Sequence, residues 1–258
     1  RLIHTLKKEG ISDNTIVLFT SDHGGLSTTQ QKSNRTVATS NLPLRTGKGW
    51  LYEGGTRVPL IVKWPGVTQS GSVTDQMTNG TDFYSTLLDM AELPAKPEQH
   101  LDSISFTPIL KGDSTFTRDP IIWYYMFAKT GTGNPAMAAM RDENYKLLYF
   151  PVEDRHELYN ISIDLSESKD LSSTLPERAA RMKKRILDWR DELGIAPLHP
   201  KDTFYKTTKK LIKKAGKITL QLKKSNSEEN NVAKTAKLGK KVARTLQKVE
   251  KAIAKNSK

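Results

Sequence analysis

The chain of 258 residues contains no cysteine, which excludes disulfides and thiol chemistry within it and removes any redox clue to compartment. It also lacks an apolar run near the roughly 20 residues that a membrane-spanning helix requires. Hydrophobic residues make up only 36% and aromatic residues 7%, little for a chain packed throughout, so part of it is expected to lie outside a core. No initiator methionine or signal peptide precedes Arg1, and residues 2–9 already read as a helix ending at Gly10. The chain therefore reads as a piece whose front is missing. Acidic residues are scarce at one end. Residues 206–258 hold 17 Lys and Arg against 3 acids, a net +14, whereas residues 1–205 hold 24 against 25. Such a split marks a separate or solvated tail.

What is present has an α/β rhythm. Residues 16–19, Ile-Val-Leu-Phe, read as a fully buried parallel strand. A polar stretch over 24–49 has no period and reads as a long loop, and residues 58–63 read as a second strand. Asp82 is placed to cap a helix that continues to Ala91, with Phe83, Leu87, Leu88 and Ala91 on its apolar stripe. Residues 121–127 predict a strand, and 137–141 and 145–150 predict a hairpin. His156 reads as a turn residue. Pro176–Leu193 predicts a long helix with Ala179, Met182, Ile186 and Trp189 on one face. In the tail, Val242, Leu246, Val249 and Ile253 fall on one face of a basic amphipathic helix expected over 232–253. Three regions follow: an α/β part over 1–120, an antiparallel sheet with a helix over 121–200, and a Lys-rich tail over 201–258.

Two stretches carry chemistry. The strand at 15–20 runs into Ser21-Asp22-His23-Gly24-Gly25, just past its carboxyl end, where open α/β sheets bind ligands. A carboxylate and an imidazole side by side can both ligate a divalent metal; taken alone, the dipeptide is more ordinarily a capping Asp beside an exposed loop His. Farther on, Lys48 stands between Gly47 and Gly49. The glycines permit close approach of backbone to a ligand, and the lysine is a point cation suited to a tetrahedral oxyanion. A solvated turn has the same composition.

Taken together, five segments in order resemble the type I sulfatases, the formylglycine-dependent branch of the alkaline phosphatase superfamily. They are TIVLFTSDHGG, LRTGKGWLYEGGTRVPLIVKWPG, TDFYSTLLDMAEL, MRDENYKLLYF and HELYNI, and the likeness spans about residues 1–196. The resemblance implies the C-terminal part of an alkaline-phosphatase-like α/β fold, with a small antiparallel-sheet-plus-helix subdomain and a basic helical tail outside the likeness. It implies that Asp22 and His23 complete a divalent metal site, usually calcium, although many members carry Asn where this chain has His23. By the same resemblance Lys48 contacts the sulfate and stabilises charge on the leaving oxygen, while Arg45, Glu53 and Arg57 match family positions. We read these three as structural, with a charged pair holding the Gly-rich loop against the strand at 58–63. The family nucleophile arises from a Cys/Ser-x-Pro-x-Arg motif, which this sequence lacks. Formylglycine is therefore expected in a missing N-terminal part, and the polypeptide as given is expected to be inactive. The resemblance further implies hydrolysis of a carbohydrate or aryl sulfate, in the periplasm or after secretion. A phosphate or phosphonate ester hydrolase of the same superfamily is the alternative, and the tail over 206–258 suits a polyanion by charge.

Overall fold

The computed structural model describes residues 1–28, 36–126 and 132–195, together with Ala243, Arg244 and Gln247. The chain divides into two units, Arg1–Pro197 and Leu198–Lys258. All the elements described here belong to the first. The Lys-rich segment and the amphipathic helix expected over 232–253 lie outside the described residues, apart from Ala243, Arg244 and Gln247, which are helical. Among the described residues no helix is long and apolar enough to cross a membrane.

Helix α1 (Leu2–Lys8) ends as its sequence predicts, with Gly10 at φ +70°, a conformation glycine adopts without a Cβ penalty. Strand β1 (Val17–Thr20) follows. After a long loop come the one-turn helix α2 (Glu53–Thr56) and strand β2 (Leu60–Lys63). The expectation of a fully buried parallel strand is corrected here. β1 pairs antiparallel with β2, Val17 opposite Lys63 and Thr20 opposite Leu60, and Phe19 and Ile61 are exposed by 59% and 63%. A short apolar run reports strand propensity but neither its direction nor what covers its faces.

Helix α3 (Asp82–Met90) and the short helix α4 (Thr107–Leu110) come next. Asp82 is not the cap: Thr81 occupies that position, and Asp82 is the first helical residue. Its fully buried carboxylate accepts the N–H groups of Asn79 at 2.6 Å and Ile104 at 3.1 Å and pairs with Arg118. The buried face of α3 is Asp82, Ser85, Thr86 and Met90, while Leu87 of the predicted apolar stripe is 46% exposed. Periodicity locates a stripe, but it does not say which stripe turns inward. Here the polar side chains find partners, as when Thr86 Oγ1 accepts the Phe106 N–H at 3.1 Å.

The remaining elements are β3 (Ile121–Tyr125), β4 (Met137–Asp142), β5 (Tyr145–Phe150), β6 (Arg155–Asn160) and α5 (Pro176–Glu192). The four strands form an antiparallel meander in chain order. The predicted hairpin is present, with the Asp142–Tyr145 pair closed by Glu143 and Asn144. His156 lies in β6 opposite Tyr149, not in a turn. Strand β6 escaped prediction because residues 155–160 hold only Leu158 and Tyr159 as apolar positions. Helix α5 begins with Pro176 at its first position and ends ahead of Gly194, φ +65°.

Alternation assigns each face of this sheet a different partner. Ala138, Met140, Leu147, Tyr149 and Leu158 pack on Ala179, Met182 and Ile186 of α5, as the helix periodicity predicts. On the other face Met137, Ala139, Leu148, Phe150 and Tyr159 pack on Leu51 and Tyr52 of the long loop. The sheet is thus the layer on which the loop that carries Lys48 rests. Ile186 is fully buried, so Ile186→Ala should cost roughly 2–5 kcal/mol in denaturant unfolding. Lys184→Ala, which breaks only the exposed pair with Asp188, should cost about 0.5 kcal/mol or less.

Candidate functional site

β1 delivers Asp22 and His23 at its carboxyl end. Asp22 is 83% exposed in its side chain and His23 37%, with His23 Nε2 3.2 Å from Asp22 Oδ2. His23 Nδ1 lies 2.9 Å from the Gly24 carbonyl oxygen. A carbonyl can only accept, so that bond places the proton on Nδ1. In the neutral ring Nε2 then turns a lone pair toward the carboxylate, and a proton or a cation is needed between the two. A backbone carbonyl fixing the tautomer in this way is a common support for a metal-ligating histidine. The two residues supply part of a donor set; among the described residues no group of three His, Asp or Glu side chains assembles.

The loop that follows is held by backbone packed against backbone. The Gly24 N–H donates to Gly55 O at 3.0 Å, the Gly54 N–H to Arg45 O at 2.9 Å, and the Lys48 N–H to Gly25 O at 3.0 Å. A Cβ at Gly24 would sit 1.7 Å from Gly54 O, one at Gly55 1.9 Å from Trp50 O, and one at Gly47 2.3 Å from Gly25 O. This corrects the reason expected for Gly47: it admits another stretch of backbone, not a ligand. Gly49 has φ +92°, and its absent Cβ would meet Thr132 Oγ1 at 2.7 Å, so turn geometry and a neighbouring loop require it. Asn41, which no motif marked, is the hub. Its Nδ2 lies 2.9 Å from Gly25 O, 3.0 Å from Thr46 O and 3.1 Å from Gly54 O, tying three segments with shared hydrogens. The bond from Lys48 to Gly25 therefore brings the lysine beside the Asp22–His23 turn, with its side chain exposed.

Behind the loop lies a buried charged cluster. Glu53, 3% exposed, pairs with Arg57 at 2.6 Å and with Lys146 Nζ at 2.7 Å. The Glu53–Arg57 pair exists, as its spacing suggests, but the grip runs through Lys146 to β5, not to the strand at 58–63. Lys146 and Glu167 are fully buried. Glu167 Oε2 accepts the Glu53 N–H at 2.7 Å, and its Oε1 lies 3.5 Å from Lys146 Nζ. Burial pushes the Glu53 carboxyl up, but Lys146 and Arg57 together outweigh it and hold that carboxyl below its ordinary value. For Glu167 burial prevails over Lys146 and the Glu53 amide, and the carboxyl rises from 4.5 to about 7. Arg45 is structural, as read. Its Nη1 donates to Tyr159 OH at 2.9 Å and to Glu167 O at 2.8 Å, and its guanidinium stacks 4.0 Å from the Tyr52 ring centre.

β1 thus ends in an acid–imidazole pair, and the glycine-packed loop that carries Lys48 is bonded to the turn that follows it. Comparison with known proteins names the family. Residues 46–192 match the model of the N-sulphoglucosamine sulphohydrolase C-terminal family, more than half of the chain, and the chain belongs to that sulfatase family. The matched span includes Lys48 and the buried cluster; Asp22 and His23 lie ahead of it. A sulfatase of Formosa agariphila is 36% identical over 197 residues, covering 71% of this chain and 34% of that protein. The N-acetylgalactosamine-6-sulfatase of Sus scrofa is 30% identical, covering 67% of this chain and 30% of its own length. Among solved structures, Ps i-CgsB in complex with k-i-k-neocarrahexaose superposes with a TM-score of 0.60 at 29% identity, covering 73% of this chain and 39% of that one. The chain thus spans about a third of the length of the curated relatives it matches.

Gly24→Ala should cost roughly 3 kcal/mol, because the new methyl meets fixed backbone, while Gly80→Ala, with open space around it, should stay within about 0.5 kcal/mol in the same unfolding assay. The raised Glu167 carboxyl has a signed consequence. Between pH 4.5 and 7 the folded chain keeps a proton that the unfolded chain releases, so this group's contribution to stability falls as pH rises. Glu167→Gln removes that loss and should gain on the parent by up to about 3 kcal/mol between pH 5 and pH 8, read by denaturant unfolding at both.

Proposed function

We propose that this chain forms part of a sulfuric ester hydrolase acting on a carbohydrate or aryl sulfate, with Asp22, His23 and Lys48 at its reaction centre. The observation that supports the reading is the bond from the Lys48 amide to the Gly25 carbonyl, which ties the backbone of Lys48 to the turn that follows Asp22 and His23, in a chain of the sulfatase family. In this reading Lys48 holds the sulfuryl oxygens and lowers the energy of the charge that develops on the leaving oxygen as the sulfur–oxygen bond breaks. As a compact, strongly hydrated ammonium it suits a tetrahedral anion approached from solvent.

Asp22 Oδ2 and His23 Nε2 would hold a divalent cation, and their convergence at 3.2 Å fits two members of a larger donor set. When bound, such a cation lowers the pKa of an oxygen nucleophile and offsets negative charge on the ester. Calcium is the ion the family resemblance suggests, while the His23 nitrogen is a softer donor than calcium favours and admits a transition metal or zinc. The nucleophile in this reading is a formylglycine from a Cys/Ser-x-Pro-x-Arg motif outside these 258 residues.

The test uses the full-length polypeptide that carries this chain, matured with a formylglycine-generating enzyme and assayed on an aryl sulfate and an aryl phosphate. The reading predicts dominant sulfate turnover, reduced about 10²–10³-fold by Lys48→Ala. It also predicts an equivalent of divalent metal by elemental analysis that Asp22→Ala loses. Dominant phosphate turnover would replace the sulfatase reading with phosphoryl transfer on the same fold; full activity and metal content in Asp22→Ala would remove the pair from the site.

A further inference from the structure

We propose that Glu167 and Lys146 are positioning residues, which grip Glu53 from behind and so set the glycine stack and Lys48 in place. The inference rests on the reading of Lys48 as an anion contact. Lys146 lies in the MRDENYKLLYF segment and Glu167 in none of the segments that carry the resemblance, and both are fully buried.

Four contacts make the grip. Lys146 Nζ donates to Glu53 Oε1 at 2.7 Å and to Thr56 Oγ1 at 3.0 Å, holding both ends of α2 from β5. Glu167 Oε2 accepts the Glu53 N–H at 2.7 Å, where the helix leaves one of its first amides without an internal partner. The Glu167 carbonyl takes Arg45 Nη1 at 2.8 Å, so one residue fixes the loop on both sides of Lys48. Gly54 and Gly55 follow Glu53 directly, and they seat Gly24 with clearances that admit no Cβ. A shift of Glu53 along its axis therefore moves the turn that carries Asp22 and His23 relative to Lys48. Positions set by a buried, doubly held carboxylate are costly to displace, because displacement strands a charge away from water.

Lys146, Glu53 and Arg45 face Glu167, and Arg57 reaches it through Glu53. With its carboxyl raised to about 7, the grip carries a titratable member in the neutral range. Gln is isosteric with the protonated acid, and its carbonyl still accepts the Glu53 N–H.

The experiment compares the full-length enzyme with Glu167→Gln, Glu167→Ala and, as a control on the site itself, Lys48→Ala. It measures kcat and KM for an aryl sulfate from pH 5.5 to 8.5, and amide hydrogen exchange by mass spectrometry. Glu167→Gln should lose an ionisation near pH 7 that the parent shows, and hold across the range the value the parent has at low pH. Glu167→Ala, which removes the acceptor, should speed exchange over residues 45–56 about tenfold while exchange over 137–150 stays unchanged, and lower kcat/KM by a similar factor. Unchanged exchange over 45–56 in Glu167→Ala, or a pH profile of Glu167→Gln that coincides with the parent's, overturns the proposal. Full activity in Lys48→Ala overturns the reading of the site instead, and leaves the exchange result to decide whether Glu167 positions the loop.

Discussion

The buried pair between Lys146 and Glu53 is the interaction on which the rest of the first unit depends. An ion pair with both partners out of water gives little net stability, since desolvation consumes most of the attraction. What it gives is position. A lysine on β5 that must reach a carboxylate on α2 leaves the loop one place to sit on the sheet. The sheet is in turn fixed by its other face, where alternate residues of β4, β5 and β6 lock onto α5. From α5 to the Leu147 and Tyr149 face of β5, from Lys146 of the same strand to Glu53, and from Gly54 and Gly55 to Gly24, contact runs through buried groups as far as the exposed turn of Asp22 and His23.

The glycines have one physical role in that chain of contacts. Segments carrying Gly24, Gly47, Gly54 and Gly55 pass so close that backbone groups bond to one another and to a single amide, that of Asn41. The turn therefore needs few side chains for its own support. Asp22, His23 and Lys48 are left facing outward, held by main chain, which is how a polar site stays accessible without being loose. The supporting Glu53, Lys146 and Glu167 are buried, whereas Asp22 and Lys48 are exposed.

Much of this was legible in the sequence, for reasons that differ by element. The helix at 176–193, the hairpin around Glu143 and the helix stop at Gly10 follow from period and glycine geometry. The family likeness rests on the order and spacing of its segments. Other features were hidden by the same rules that revealed these. Lys146 stands among apolar residues of a strand, and a lone lysine there reads as solvent-facing until its partner is known. Glu167 lies in a polar stretch that offers no pattern. On α3 the apolar stripe predicted the wrong buried face, because Asp82, Ser85 and Thr86 are satisfied by partners remote in sequence. The antiparallel pairing of β1 with β2 needed the return path of the loop, which no local pattern encodes. Asn41 was missed because its acceptors, three carbonyl oxygens and the Ser27 hydroxyl at 3.0 Å, are brought together only by folding.

The most direct measurement is a crystal structure of the full-length enzyme with inorganic sulfate, using anomalous scattering to place any metal. The account predicts a cation bound by Asp22 Oδ2 and His23 Nε2 and a sulfate oxygen within hydrogen-bonding distance of Lys48 Nζ, with the Glu53–Lys146 pair intact behind them. A metal bound elsewhere with the Asp22–His23 turn free of it, or a sulfate held without Lys48, would contradict it.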